Sequence, residues 1–226
     1  MERVKKKNFL KNKFGWGWVV LGVSLLLNVY YVGVGGLPKH DESIAVEGVI
    51  DGDTLVLDGK VRLRLRHLDA PELEFCGGEE AKKLLEELVI GKRVIIRDKI
   101  LDQRGRAMAL VYVGKDLVNR HLIETGWGRY HSDTSEVADE LKALGLEAKE
   151  KGLGVFGPKC YQWENSENPK CVIKGNVAPN NSSERIYHMP GCVQYKTTVV
   201  EKDRGEEWFC SEAEAKKAGY VKSKRC

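Results

Sequence analysis

This sequence has almost no excess of charge of either sign. Its 37 lysines and arginines face 33 aspartates and glutamates, leaving +4 over 226 residues. That balance admits an anionic partner without arguing for one, because the net excess lies in the first fourteen residues, where six basic side chains face Glu2 alone. The composition of a disordered chain is also absent, since hydrophobic residues make up 42% and charged residues 31%. The length leaves room for one full domain and something smaller. No cysteine is odd: there are six, Cys76, Cys160, Cys171, Cys192, Cys210 and Cys226. An even count favours disulfides in an oxidising compartment, but spacing alone does not choose their pairing.

What is present begins with an uncharged run from Gly15 to Pro38, preceded by Arg3, Lys5, Lys6, Lys7, Lys11 and Lys13. A helix needs roughly 20 such residues to cross a bilayer core. Trp16, Trp18, Tyr30 and Tyr31 lie near the two ends of the run, where amphipathic rings suit the headgroup level. The pattern predicts a basic cytoplasmic segment over 1–14 and a single transmembrane anchor over 15–38. The rest of the chain then faces outside the cytoplasm at the cell membrane. A cleaved signal peptide, and so a secreted protein, is the alternative; the run is long for one, and VGVGGLPKH is a poor cleavage site.

Residues 44–157 have the pattern of one compact domain. Apolar segments at 44–50 and 54–57 flank Asp51-Gly52, a two-residue hairpin signal, and Asp58-Gly59 marks a second turn. Val61 to Leu68 then alternates, with Arg62, Arg64 and Arg66 on one face and Val61, Leu63 and Leu65 on the other. His67 falls on the apolar face and reads as a packed core histidine. Ala81, Leu84, Leu85 and Leu88 recur at helical spacing, with Glu79 and Glu80 in the first turn and Gly91 as the stop. Arg93–Ile100 and Arg106–Val113 read as strands around a turn at Asp102–Gly105. Leu117, Leu122 and Ile123, then Val137, Leu141, Leu144 and Ala148, mark two more helices. The order predicts an α+β fold, mainly β: a five-stranded barrel of the OB type with three helices. Residues 158–180, rich in Pro, Asn, Glu and Ser, read as a linker pinned by Cys160 and Cys171, with Cys76 competing for either. Residues 181–226 read as a small Cys- and His-containing module, too short for a large core without a staple.

The chemistry concentrates between Asp53 and Arg106. Asp53 follows the first hairpin turn and Asp69 ends the third strand, so two hard carboxylates from strand ends can hold a divalent cation such as calcium. The Ala70 backbone carbonyl is placed to join them. Phosphodiester cleavage builds negative charge on phosphate oxygens, which guanidinium forks such as Arg64 and Arg106 stabilise. Glu72, fixed behind Pro71, can accept a proton from an attacking water. An isolated Asp-Gly-Asp is usually only a turn, and a lone strand arginine is usually a surface residue. The order and spacing of the whole set carry the reading.

IDGDT, RLRHLDAPE, GGEEAKK, DQRGR and DLVN follow one another as they do in the staphylococcal (micrococcal) nuclease family, the thermonucleases, which this chain resembles from Ile44 to Gly157. The resemblance implies a calcium-dependent phosphodiesterase acting on DNA and RNA with little sequence preference. It implies Asp53, Asp69 and the Ala70 carbonyl as calcium ligands, and Arg64, Glu72 and Arg106 as catalytic residues. Arg104, Tyr130 and His131 are candidates for substrate contact, in a WGRYHSDTSE segment that departs from the family pattern. Arg62 and Arg66 are read as solvated or as adding attraction for a phosphate backbone.

The tail IYHMPGC…WFCSEAEAKKAGY…KRC resembles the zinc-binding module of the Ada DNA-repair protein, with Ser223 where that module has a cysteine. His188, Cys192, Cys210 and Cys226 remain for a Cys3His zinc site; disulfides and buried free thiols are the competing readings. No protein partner is implied. A catalytically inactive nucleic-acid-binding barrel and an adhesion protein are the rival functions. Under the nuclease reading, the barrel retains its activity without residues 158–226.

Overall fold

The structure, a computed structural model, describes residues 23–24, 42–178 and 184–226. The chain divides into two units, Met1–Asp41 and Glu42–Cys226. The anchor predicted over 15–38 lies outside the described residues apart from Val23 and Ser24, which are helical. No helix among the described residues is long and apolar enough to cross a membrane.

The second unit begins with an antiparallel meander of β1 (Ser43–Asp51), β2 (Thr54–Leu57) and β3 (Val61–Leu65), folded over the two Asp-Gly turns. Register shifts on both sides of Val49 bend β1. Its first residues can therefore pair with β5 (Arg93–Leu101) while the remainder pairs with β2. β6 (Ala107–Val113) runs antiparallel to β5 and parallel to β3, through Arg64–Met108 and Leu65–Ala109. This last pairing closes a five-stranded barrel in the order β1-β2-β3-β6-β5. β7 (Asp116–Leu117) adds to the β6 edge. The three predicted helices are α1 (Gly78–Val89), α2 (Val118–Glu124) and α3 (Ala138–Glu150). Period-two burial sends Leu55, Leu57, Leu63 and Leu65 inward, where they meet Leu85 and Val89 of α1, Leu122 of α2 and Leu141 of α3.

The barrel seam carries a buried amide. Asn119 is fully buried; its Oδ1 accepts the Val111 N–H at 3.0 Å, and its Nδ2 donates to the Arg66 and Ala109 carbonyls at 2.8 and 3.2 Å. One side chain thus joins the end of β3 to β6.

The third strand is shorter than its alternation predicts. β3 stops at Leu65, and the chain turns through Arg66 and His67, the latter left-handed at φ 61°. It resumes as β4 (Leu68–Asp69), paired with β8 (Arg129–Tyr130). The turn removes Arg66 from the arginine face. Only 6% exposed, Arg66 donates to Asp133 and to the Asp98 and Thr134 carbonyls. Reading it as solvated or as a phosphate attractor is corrected, because its donors are used inside the fold. His67 is buried, as expected, with Nε2 2.7 Å from Ser135 Oγ.

The segment read as a linker is built into the rest. β9 (Tyr161–Gln162) pairs with β12 (Val200–Glu201), and β10 (Ile173–Val177) is an inner strand of the tail sheet. That sheet runs β13-β10-β11-β14, with β11 (Arg185–His188), β13 (Trp208–Phe209) and β14 (Val221–Lys222). With α4 (Glu212–Lys217) it encloses a small core of Ile173, Tyr187, Phe209, Ala215 and Tyr220.

The cysteines pair as Cys76–Cys160, Cys171–Cys210 and Cys192–Cys226. The expected Cys160–Cys171 link is replaced by the competing reading, in which Cys76 takes Cys160. The zinc site over His188, Cys192, Cys210 and Cys226 is also corrected: zinc needs thiolates, and these three sulfurs belong to two different disulfides. Among the described residues, no group of three or more His, Cys, Asp or Glu side chains is arranged to hold a metal.

Asn119→Ala would strand the Val111 N–H and the Arg66 carbonyl at the seam, while the Ala109 carbonyl keeps the Arg66 N–H. A urea melt is expected to show a loss of about 2–4 kcal/mol.

Candidate active site

The site begins with a close approach at Gly52. A Cβ there would stand 2.6 Å from the Cβ atoms of both Ala70 and Ala81, so only glycine lets the β1–β2 turn press against the Ala70 segment and α1. The next residue, Asp53, is 2% exposed, and its carbonyl accepts the Leu65 N–H at 2.7 Å. Thr54 pairs with Arg64 across β2 and β3, which sets the guanidinium against the Asp53 carboxylate. Arg64 Nη1 lies 2.6 Å from Asp53 Oδ1, and Nη2 lies 2.6 Å from Asp53 Oδ2 and 2.8 Å from Asp69 Oδ1. Thr54 Oγ1 and the Ala70 N–H also donate to Asp53, at 2.9 and 3.1 Å. Burial pushes the Asp53 carboxyl up to about 7, against the pull of Arg64. Asp69 is more than half exposed, so the cluster opens to solvent on its side.

The structure thus gathers Asp53, Arg64, Asp69 and the Ala70 backbone. His131 joins the open side, its Nδ1 3.7 Å from Asp69 Oδ2. The donor set suits a hard divalent cation: one carboxylate from the β1–β2 turn and one from β4 converge, and Arg64 Nη2 is the positive group that meets both of them.

The other expected site residues are placed separately. Glu72 is exposed, on the loop into α1. That loop is tight, since a Cβ on Gly78 would lie 2.2 Å from the Glu72 carbonyl oxygen. Arg106 stands just before β6, two residues from the Met108 that pairs with Arg64. Its Nε contacts Asp102 Oδ2 at 2.6 Å, and it is half exposed. Arg104 is exposed in the same turn, with its N–H on Asp102 Oδ1. Tyr130 is not a free stacking platform. It lies parallel to the His67 ring at 5.9 Å, packs on the main core, and would meet a Cβ on Gly145 at 2.9 Å.

Two long-range supports were not legible in the sequence. Arg66 and Asp133 hold the segment after β8 against the end of β3. Arg129, whose backbone pairs with Asp69, grips Asp203 of the tail at 2.6 and 3.0 Å, reaches Glu201 at 3.2 Å, and lies over Phe156. Asp203 is almost wholly buried. The tail also touches the Glu72 loop: the Cys76 N–H meets the Lys202 carbonyl, Cys76 bonds Cys160, and Phe75 crowds Gly205, where a Cβ would be 2.6 Å away. Residues 158–226 therefore contact both the backbone partner of Asp69 and the Glu72 loop.

Comparison with known proteins gives one family: Staphylococcal nuclease homologue, matched over residues 62–157. An "Uncharacterized endonuclease" of Haemophilus influenzae is 27% identical over 172 residues, covering 73% of this chain and 95% of that protein. An "Uncharacterized endonuclease" of Escherichia coli O157:H7 is 32% identical over 114 residues, covering 48% of this chain and 72% of that protein. "Micrococcal nuclease" of Shigella flexneri is 36% identical over 67 residues, covering 28% and 38%.

The supports have measurable weight. The hydrogen bond from Arg66 holds the Asp133 carboxyl down to about 2, against 3.8 for the free side chain. A lowered value means the folded chain favours the ionised form. Its contribution is therefore full above about pH 4 and is lost as the pH falls towards about 2. Asp133→Asn is expected to cost about 1 kcal/mol at pH 7 and to flatten the acid limb of the stability curve over that window. Asp203→Ala, which leaves Arg129 with Glu201 alone, is expected to cost about 2–3 kcal/mol in a urea melt.

Proposed function

This chain belongs to the staphylococcal nuclease homologue family and is a nuclease, a phosphodiesterase; from that premise we propose that it hydrolyses DNA and RNA outside the cytoplasm, with calcium as its metal. The observation that carries the reading is the convergence of Asp53 and Asp69 on Arg64 at the barrel seam. Asp53, Asp69 and the Ala70 carbonyl would hold the cation, which when bound neutralises and orients a phosphate oxygen. Arg64 offers a forked donor suited to phosphate, and its backbone is fixed by pairing to β2 on one side and β6 on the other. Arg106 meets the developing charge from the neighbouring strand.

Glu72 takes a proton from the attacking water. The water oxygen bonds to phosphorus, the bond from phosphorus to the leaving oxygen breaks, and that oxygen takes a proton from solvent as Glu72 returns its own to solvent. The exposure of Glu72 suits this role, because its carboxylate is open to solvent. Arg104 and His131, both exposed, remain the candidates for touching the rest of the strand.

An oxidising compartment is supported by the pairing of all six cysteines. We place residues 1–14 in the cytoplasm and 15–38 in the membrane, with the enzyme outside; release after signal cleavage gives the same compartment.

The test is degradation of single-stranded DNA and of RNA by the whole chain in mild detergent, with calcium or with chelator. Calcium-dependent cleavage is expected, falling by about 10²–10⁴-fold in Glu72→Gln. Unchanged cleavage by that variant would remove Glu72 as the base. Cleavage indifferent to chelator would remove the metal.

A further inference from the structure

The tail contains a cavity of about 580 Å³ that the phosphodiester chemistry does not use. Its size is within the range of about 300–1,000 Å³ found for ligand pockets. Three aromatic rings line it, Trp163, Tyr195 and Trp208, together with Lys174 and Lys196.

Each ring is held by contacts of its own, and Lys174 lies over one face of Tyr195 and of Trp208. Trp208 Nε1 donates to Gln162 Oε1 at 2.9 Å, and Tyr195 OH donates to the Val172 carbonyl at 2.8 Å. Trp163 stands edge-on to Tyr161 at 6.2 Å and is 51% exposed. The polar handles of Trp208 and Tyr195 are thus used inside the fold. The pocket offers π-faces that are already oriented.

Lys174 adds charge from below. It is 3% exposed, and its Nζ donates to the Tyr195 and Thr198 carbonyls at 3.1 and 2.7 Å. The same Nζ lies 4.6 Å from the Tyr195 ring centre and 5.5 Å from that of Trp208. An ammonium has three donors, and these bonds use two of them. Among the described residues no carboxylate forms an ion pair with it. The attraction of Glu164, also in the lining, reaches this buried cation, whose direct contacts are carbonyls and ring faces. Two lysines against Glu164 leave the lining net positive.

We propose that this pocket is a second nucleic-acid contact, which takes unpaired bases of a single strand on its aromatic faces and the adjoining phosphate near Lys174 and Lys196. Flat rings with cations beside them are how single strands are held without sequence preference. A sugar ligand would also stack, but it needs free hydrogen-bonding groups around it. The Asn165 amide in this lining is spent on the Cys171 carbonyl and the Asn168 N–H, which leaves Glu164 and Ser166 for such a ligand, and the net positive lining favours the anionic strand. The choice of ligand rests on the nuclease reading. The pocket itself is made of residues separate from Asp53, Arg64 and Asp69. It would hold a strand while the barrel cuts it.

The test uses the whole chain in mild detergent with chelator, so that no cleavage intervenes. Binding of a labelled oligothymidylate is read by anisotropy for the natural chain, Trp163→Ala and Trp163→Phe. The alanine variant is expected to bind about tenfold or more weakly and the phenylalanine variant nearly normally, with melting temperatures unchanged. With calcium, cleavage of a small chromogenic phosphodiester by the alanine variant is expected to stay normal. No binding by the natural chain, equal binding by all three proteins, or equal loss in both variants would each overturn the proposal. So would quenching of tryptophan fluorescence by cell-wall glycan fragments but not by the oligonucleotide. If no protein cleaves but only the alanine variant loses binding, the pocket stands and the nuclease reading falls.

Discussion

The parallel pairing of β3 with β6 closes the barrel, and the charged site takes its position from that closure. The pairing is short, Arg64 with Met108 and Leu65 with Ala109, and it is extended by the Arg66 N–H on the Ala109 carbonyl. Asn119 completes the seam by serving β6 and the end of β3 with one amide. Held on both sides, β3 presents Arg64 at a fixed point beside Asp53. The chain then turns sharply at Arg66 and His67. A histidine at φ 61° is uncommon and costs of order 1 kcal/mol, which the surrounding contacts offset. Ser135 on its ring and Tyr130 stacked against it hold the turn, and the turn returns Asp69 to Arg64.

The same economy of position governs the electrostatics. Asp53 is buried beside a guanidinium, and its desolvation is large enough to raise its carboxyl despite that partner. Exposed Asp69 and buried Asp53 differ in solvation while sharing one arginine nitrogen. Such a pair is poorly satisfied by a single positive charge, and its carboxylates suit an added cation. The tail contributes by clamping Arg129, the backbone partner of Asp69, and by fixing the loop that carries Glu72 through Cys76–Cys160.

Local signals made much of this legible. The Asp-Gly turns, the alternation before Leu65 and the glycine-ended helices are encoded within a few residues, and the barrel with its three helices follows them. The grouping of Asp53, Arg64 and Asp69 was legible because the three lie close in sequence, on or beside neighbouring strands. Arg66 was misread because alternation continues in the letters after the backbone has turned. Arg66–Asp133 and Arg129–Asp203 span 67 and 74 positions, and nothing near either residue announces the partner. β10 was hidden because Lys174-Gly175-Asn176 is poor strand chemistry; it is held by neighbours on both edges. The cysteine pairing is likewise a property of the folded tail and not of spacing.

The central claim is that Asp53 and Asp69 form one cation site on the barrel. Calorimetric titration of calcium into the whole chain at about pH 8, above the range where Asp53 titrates, addresses it directly. The account predicts a single calcium per chain, with binding abolished in Asp53→Asn and in Asp69→Asn. Calcium bound equally well by both variants would contradict it.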